Sequence, residues 1–169
     1  MRRLKTILEN RLRDAQRIAV LGIGSELRAD DAAGMLIAKE LKAFIKEKKK
    51  EKRNSLKVFL GQTAPENLTG EIKKFKPTHL IIIDAVDFHQ KAGSTRVIDL
   101  CGESGGSFST HRIPAQVFKD YLYKSIACET ITIGIQPESL EFCGSLSPKV
   151  QESVRAVSKE IREALKNFF

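Results

Sequence analysis

Thr78-His79-Leu80-Ile81-Ile82-Ile83-Asp84-Ala85 (THLIIIDA, residues 78–85) decides the fold. Four consecutive large apolar residues leave no polar face, so this strand has to be covered on both sides. That pattern belongs to a parallel sheet with helices on each face. Working outward, Arg17–Ile23 (RIAVLGI) and Glu129–Ile135 (ETITIGI) read as buried strands and Leu56–Gly61 as another strand. Thr95–Leu100 is a further strand, but too few residues separate it from Thr78–Ala85 for a helical crossover, so it is expected to run antiparallel.

Between the strands the apolar period becomes helical. Leu4, Ile7, Leu8, Leu12 and Ala15 form one stripe, and Ala33, Leu36, Ile37, Leu41, Phe44 and Ile45 a second, in a helix expected to begin at Asp30. Pro65-Glu66-Asn67 opens a helix with Leu68, Ile72 and Phe75, which stops before Pro77. Pro114–Lys124 reads as another helix. Ser147 and Pro148 are placed to cap and start the last one, whose stripe is Val150, Val154, Val157, Ile161, Leu165 and Phe168. The alternation predicts a three-layer α/β/α sandwich around a mostly parallel sheet. With 169 residues and no repeat, linker or break in composition, the chain is read as a single domain, 1–169, whose first sixteen residues are an N-terminal helix.

Composition narrows the function. Hydrophobic residues make up 41% and charged residues 30%, which suits a globular domain, and no apolar run approaches the ~20 residues of a membrane span. No apolar stretch or small-residue cleavage site follows Met1-Arg2-Arg3, so no secretory signal is expected, and the three cysteines, Cys101, Cys128 and Cys143, form no CxxC pair. An odd, unpaired count points to a reducing, cytoplasmic setting. Cys128 and Cys143 flank the last strand and read as packing residues. The net charge is +8, and Lys46–Arg53 (KEKKKEKR) alone carries +4. A charge block without aromatic residues is a solvated helix end rather than a nucleic-acid footprint.

In sheets of this kind ligands bind beyond the carboxyl ends of the strands. After the first strand comes Gly22-Ile23-Gly24-Ser25-Glu26-Leu27-Arg28-Ala29-Asp30-Asp31. A dinucleotide fingerprint would need glycine where Leu27 stands, and two acids at the helix start would repel phosphate. Capping accounts for one acid, most naturally Asp30, and leaves Asp31 for other work. After the third strand stands Asp84, followed by Asp87 and His89. A carboxylate directly after three isoleucines is costly to bury unless paired or ligated, although a structural cap is equally compatible with that position. The glycine- and serine-rich loop 105–111 ends in His111, just before a helix. His79 starts its strand and so falls at the opposite edge, a structural position. Asp31, Asp84 and His111 together would suit a divalent first-row metal with coordination positions left open.

Five segments in order, GIGSELRADDAAG at 22–34, TAPEN at 63–67, HLIIIDAVD at 79–87, STHRIP at 109–114 and GIQPE at 134–138, resemble the hydrogenase maturation endopeptidases, and most nearly their formate-hydrogenlyase (hydrogenase-3) branch. The resemblance implies a five-stranded sheet in order 2-1-3-5-4 with strand 4 antiparallel. It implies an aspartic-type endopeptidase that removes the C-terminal extension of a nickel–iron hydrogenase large-subunit precursor. Asp31, Asp84 and His111 are implied as both the catalytic and the metal-recognising residues. Nickel arrives with the substrate, and the free enzyme is expected to carry none. No nucleic-acid or membrane partner is implied, and the chain is expected to act as a cytoplasmic monomer. Two positions depart from the family pattern: Ser25 replaces its usual asparagine and Ala32 its usual glycine, which is expected to narrow an opening beside Asp31.

Two other function classes use the same residues. One is a non-catalytic nickel-checkpoint or chaperone module for hydrogenase subunits. The other is a small-ligand domain built on the Gly22/Gly24 turn. Loss of a C-terminal peptide from a nickel-loaded precursor separates the endopeptidase from both.

Overall fold

The computed structural model describes residues 4–48, 55–98, 107–108, 125–126 and 128–168. In chain order these form α1 (Leu4–Arg11), β1 (Ile18–Ile23), a 3-10 turn (Ala29–Ala32) running into α2 (Ala33–Lys48), and β2 (Leu56–Gln62). A second 3-10 turn (Pro65–Leu68) leads into α3 (Thr69–Phe75), then come β3 (His79–Asp87), β4 (Thr95–Ile98), β5 (Glu129–Ile135) and α4 (Pro148–Ala164). The main sheet has the order β2-β1-β3-β5-β4, with β4 antiparallel to β5 and the other pairs parallel. This is the expected order. A two-residue strand, Ser107–Phe108, adds to β3 alone, opposite Val86 and Asp87.

The alternation of side chains along each strand divides the core into two layers. Ile18 and Val20 of β1, Ile81 and Ile83 of β3, and Ile131, Ile133 and Ile135 of β5 pack with α1, α2 and α4. Ala19, Leu21, Ile23, Leu80 and Ile82 face the other way, toward Phe59, Ile72 of α3 and Cys128. The result is an α/β/α sandwich. Burial on both faces explains why β3 is apolar from Leu80 to Ile83 without a break. No described helix is long and apolar enough to cross a membrane.

Several expected boundaries move, each for a local reason. β3 runs past Ala85 to Asp87, because β5 pairs with it as far as Ala85 and Ser107–Phe108 takes over beyond. Two of the expected helix starts are 3-10 turns instead: α2 begins at Ala33 rather than Asp30, and α3 at Thr69 rather than Pro65. α3 ends in a left-handed Lys76 (φ 52°), which turns the chain before Pro77 removes the next donor. The helix expected over Pro114–Lys124 and most of the lysine-rich block lie outside the described residues, as does Cys101.

Candidate active site

The crossover from β1 leads through α2 to β2 on one side, whereas β3 pairs on the other side of β1. The β1/β3 boundary is therefore the topological switch point, where such sheets open a crevice at their carboxyl end. β1 and β3 stay paired from Ile18↔His79 to Gly22↔Ile83 and then part. Asp84 is the next residue of β3. It still lies opposite Gly134 of β5, and so stands inside the strand at the crevice wall rather than on a loop. It is only 5% exposed.

Asp31 comes to the same place from β1. Beyond Ile23 the chain turns at Gly24, whose φ of 131° is unfavourable for any side chain and whose missing Cβ leaves room for the carbonyl oxygen of Asp31. The 3-10 turn then folds back over the sheet and touches β3. Gly34, three residues after Asp31, sits where a Cβ would strike the carbonyl oxygens of both Ile23 and Ile83. This close approach seats the start of α2 across the two strand ends, directly beside the residue preceding Asp84. Asp31 itself is 1% exposed, and its Oδ2 accepts the Ser25 N–H at 2.8 Å. The bond comes from the backbone, so serine in place of asparagine at position 25 does not alter it. The Ser25 hydroxyl accepts the Leu27 N–H instead. Ala32 is buried within the turn.

Asp30 has a different role from the helix cap expected of it. The turn carries no side-chain cap. Its buried carboxylate reaches more than a hundred residues along the chain: Oδ2 accepts from Glu138 N–H at 2.8 Å, Ser139 N–H at 3.0 Å and the Ser147 hydroxyl at 2.8 Å, and Oδ1 accepts from Ser147 N–H at 2.7 Å. Ser147 does sit at the N-terminus of α4 in extended conformation, but its hydroxyl serves Asp30 and not the helix.

The segment after β5 holds a second clamp. The Gln136 side chain accepts from Phe88 N–H (2.9 Å) and Gln90 N–H (3.2 Å) and donates to Asp87 Oδ1 (3.0 Å) and the Pro137 carbonyl (3.2 Å). The same Asp87 oxygen accepts the His89 N–H at 2.9 Å. These two hydrogen bonds, first from His89 and then from Gln136, hold the Asp87 carboxyl below its ordinary pKa. His89 stands at the rim, 79% exposed by side chain, with a left-handed backbone (φ 55°). Neither Asp30's long-range bonds nor Gln136 could be read from spacing. The only trace was the segment GIQPE itself, which begins as a strand and breaks at proline.

The other sequence candidates divide as follows. His79 lies at the opposite edge, its Nε2 3.3 Å from Glu129, as expected of a structural residue. Cys128 packs in the second core layer, where burial pushes its thiol pKa up and keeps it unreactive. Cys143 is no packing residue: it is exposed, in a left-handed turn (φ 58°) whose N–H bonds to Leu27 O. Its loop crosses the surface rather than the core. His111 lies outside the described residues. Among the described residues no three histidine, cysteine or acidic side chains are grouped closely enough to hold a metal ion. Asp31 and Asp84 are both buried, one on the turn after β1 and the other on β3, and that turn packs against β3. Hard oxygen donors of this kind suit a divalent cation that brings other ligands with it.

The α/β/α fold, with the sheet order 2-1-3-5-4 and buried acids beside its switch point, is the frame for the comparison with known proteins. Residues 35–164 match the family model described as HycI, hydrogenase maturation protease, and the chain belongs to that family. It is therefore a peptidase of hydrogenase maturation. The hydrogenase 3 maturation protease of Escherichia coli K12 is 31% identical over 144 residues, covering 84% of this chain and 86% of that protein. The crystal structure of the NiFe hydrogenase maturation protease HycI from Thermococcus kodakarensis KOD1 superposes with a TM-score of 0.82 at 30% identity, over 95% of this chain and 99% of that one. The solution structure of the endopeptidase HycI from Escherichia coli does so with a TM-score of 0.71 at 29% identity, over 87% and 91%.

Proposed function

We propose that the chain, as a cytoplasmic monomer, removes the C-terminal extension of a nickel–iron hydrogenase large-subunit precursor once nickel has been inserted. What supports this reading is the burial of Asp31 and Asp84 on adjoining segments beside the β1/β3 switch point, in a chain of the maturation protease family. Nickel enters as part of the substrate. Two carboxylates, joined by the imidazole of His111, would recognise it weakly on their own, and the precursor's own ligands would complete the set. A metal so held polarises a nearby carbonyl. Hydrolysis also needs a base for the attacking water and a proton for the departing amine, duties that two carboxylates and one imidazole share. The Ser25 N–H fixes the orientation of the Asp31 carboxylate for that work.

The test is a paired digestion. Purified enzyme is mixed with nickel-loaded and with nickel-free precursor, and the C-terminal peptide is measured by mass. Release from the loaded form alone is expected, with no release by Asp31→Ala or His111→Ala variants that remain folded, and metal analysis of the isolated enzyme is expected to find no stoichiometric metal. Equal cleavage of both precursor forms, or tight resident zinc, would make this an ordinary metallopeptidase. Binding of the loaded form without cleavage would make it a checkpoint or chaperone module.

A further inference from the structure

Gln136, Pro137, Glu138 and Ser139 form a short strap that leaves β5 and grips both acid-bearing segments of the crevice. At one end the Gln136 amide holds Asp87, Phe88 and Gln90, the continuation of the strand that carries Asp84. At the other, the N–H groups of Glu138 and Ser139 bind Asp30, the neighbour of Asp31. The main chain of Gln136 adds two more links, accepting Gly93 N–H at 2.9 Å and donating to Ser94 O at 2.8 Å. Gln136 is buried, and all four of its side-chain bonds are made within the protein. We propose that Gln136 is a positioning residue for peptide cleavage: through Asp87 and the strap it fixes the Asp84 strand end relative to the turn that carries Asp31. The proposal rests on the cleavage reading above for its rate prediction, but not for its structural one.

The chemistry is specific to an amide. Only a side chain with both an acceptor and a donor takes the Phe88 and Gln90 N–H groups while giving a hydrogen to the Asp87 carboxylate. Gln136→Glu keeps the acceptor and replaces the donor with a second carboxylate beside Asp87, which repels it. Adding Asp87→Asn restores a donor from the other side, so the pair Asp87→Asn/Gln136→Glu rebuilds the contact with the roles exchanged. The bond to the Pro137 carbonyl is lost in both variants, and in the double variant the amide nitrogen at position 87 replaces the oxygen that accepts the His89 N–H, so recovery is expected to be partial.

Two readouts test this. In precursor cleavage, Gln136→Glu is expected to lower kcat by about 10- to 100-fold, the effect of a misplaced reacting group, with KM within about twofold. The double variant is expected to regain most of that loss. In amide hydrogen exchange, Gln136→Glu is expected to speed exchange at Phe88 and Gln90 and also at Ser25, whose N–H reports on the Asp31 carboxylate. Exchange at all three slows again in the double variant. A merely structural role would loosen Phe88 and Gln90 and leave Ser25 untouched, and that result overturns the proposal. So does wild-type kcat in Gln136→Glu, or a loss that the double variant does not recover. If the wild-type chain leaves the precursor intact, the cleavage reading fails, and the Ser25 exchange alone decides whether Gln136 positions Asp31.

Discussion

At the carboxyl end of the sheet, Asp30 is completely buried and takes four hydrogen bonds, three from backbone N–H groups and one from a hydroxyl. At the amino end, Glu129 stays 43% exposed by side chain and is met by other side chains, Arg11 at 2.8 Å and His79 at 3.3 Å. Both carboxylates tie together elements far apart in sequence. The first does so by dictating where the chain itself runs, from the β1 turn to the start of α4. The second joins α1 to the sheet through long side chains that water can replace. A crevice that must hold Asp31 and Asp84 in register is built the first way, and an edge that only has to stay closed is built the second way.

The largest effect expected is on cleavage, and it should be confined to one end. Asp84→Ala removes a carboxylate that the fold spends burial on, and precursor processing should fall by about 10²- to 10⁴-fold, the range of a lost acid or base. Glu129→Ala should leave the rate within about twofold, because its contacts all lie at the other edge. Initial rates of peptide release for the two purified variants make the comparison. A severe loss in Glu129→Ala, or normal processing by Asp84→Ala, breaks the distinction between the ends.

Stability should separate the same ends by a smaller margin. Asp30→Ala leaves the part-buried donors at Glu138, Ser139 and Ser147 without their acceptor, at a cost of about 1–3 kcal/mol for a donor that finds no water. The expected fall in melting temperature is several degrees, on the order of 2–4 °C per kcal/mol for a chain of this size. Glu129→Ala removes a partly exposed pair worth about 0–1 kcal/mol, and its small effect should shrink further in salt. Thermal unfolding at low and high ionic strength measures both. A larger loss in Glu129→Ala than in Asp30→Ala would reverse the ranking.

The contrast also explains which parts of the molecule were legible in its sequence. β3 announces itself because burial on two faces demands an unbroken apolar run, β5 by isoleucines at every second position, and α4 because one buried face repeats at helical spacing. Asp84 lies within β3 itself, but it and Asp31 were legible as candidates because each comes after an apolar run, and strand ends lead to the crevice. Asp30 and Gln136 were not. Most of their partners are backbone N–H groups 46 to 117 positions away, and a backbone donor has no residue identity to leave in the pattern. Asp30 looked like a helix cap because acids at helix starts usually are, and only the path of the 138–147 loop shows otherwise. The 3-10 turns at Ala29 and Pro65 were hidden for a related reason: one turn is too short to show a period.

The smallest effect expected concerns Asp87, which is held by the Gln136 side chain and stands half-exposed at the end of β3. Its carboxyl is held below the ordinary carboxylate pKa by the His89 and Gln136 hydrogen bonds, so its ionised form is favoured in the folded chain. The stability this contributes is fully present above the unfolded value of ~3.9 and is lost as pH falls through the lower folded value. Asp87→Asn keeps an oxygen in place for both donors and removes only the charge. The variant should therefore be slightly less stable than the wild type at pH 7, and the two should begin to converge once pH falls below the unfolded value of ~3.9, fully only where the native carboxyl takes up its proton at its lowered pKa. The gap is small because the side chain is 46% exposed and water screens it. Denaturant midpoints of both proteins at pH 7 and pH 3 give the comparison. A gap that widens toward pH 3 would mean that the carboxyl is destabilised by folding, and that the Gln136–Asp87 contact does not favour the charge it was inferred to hold.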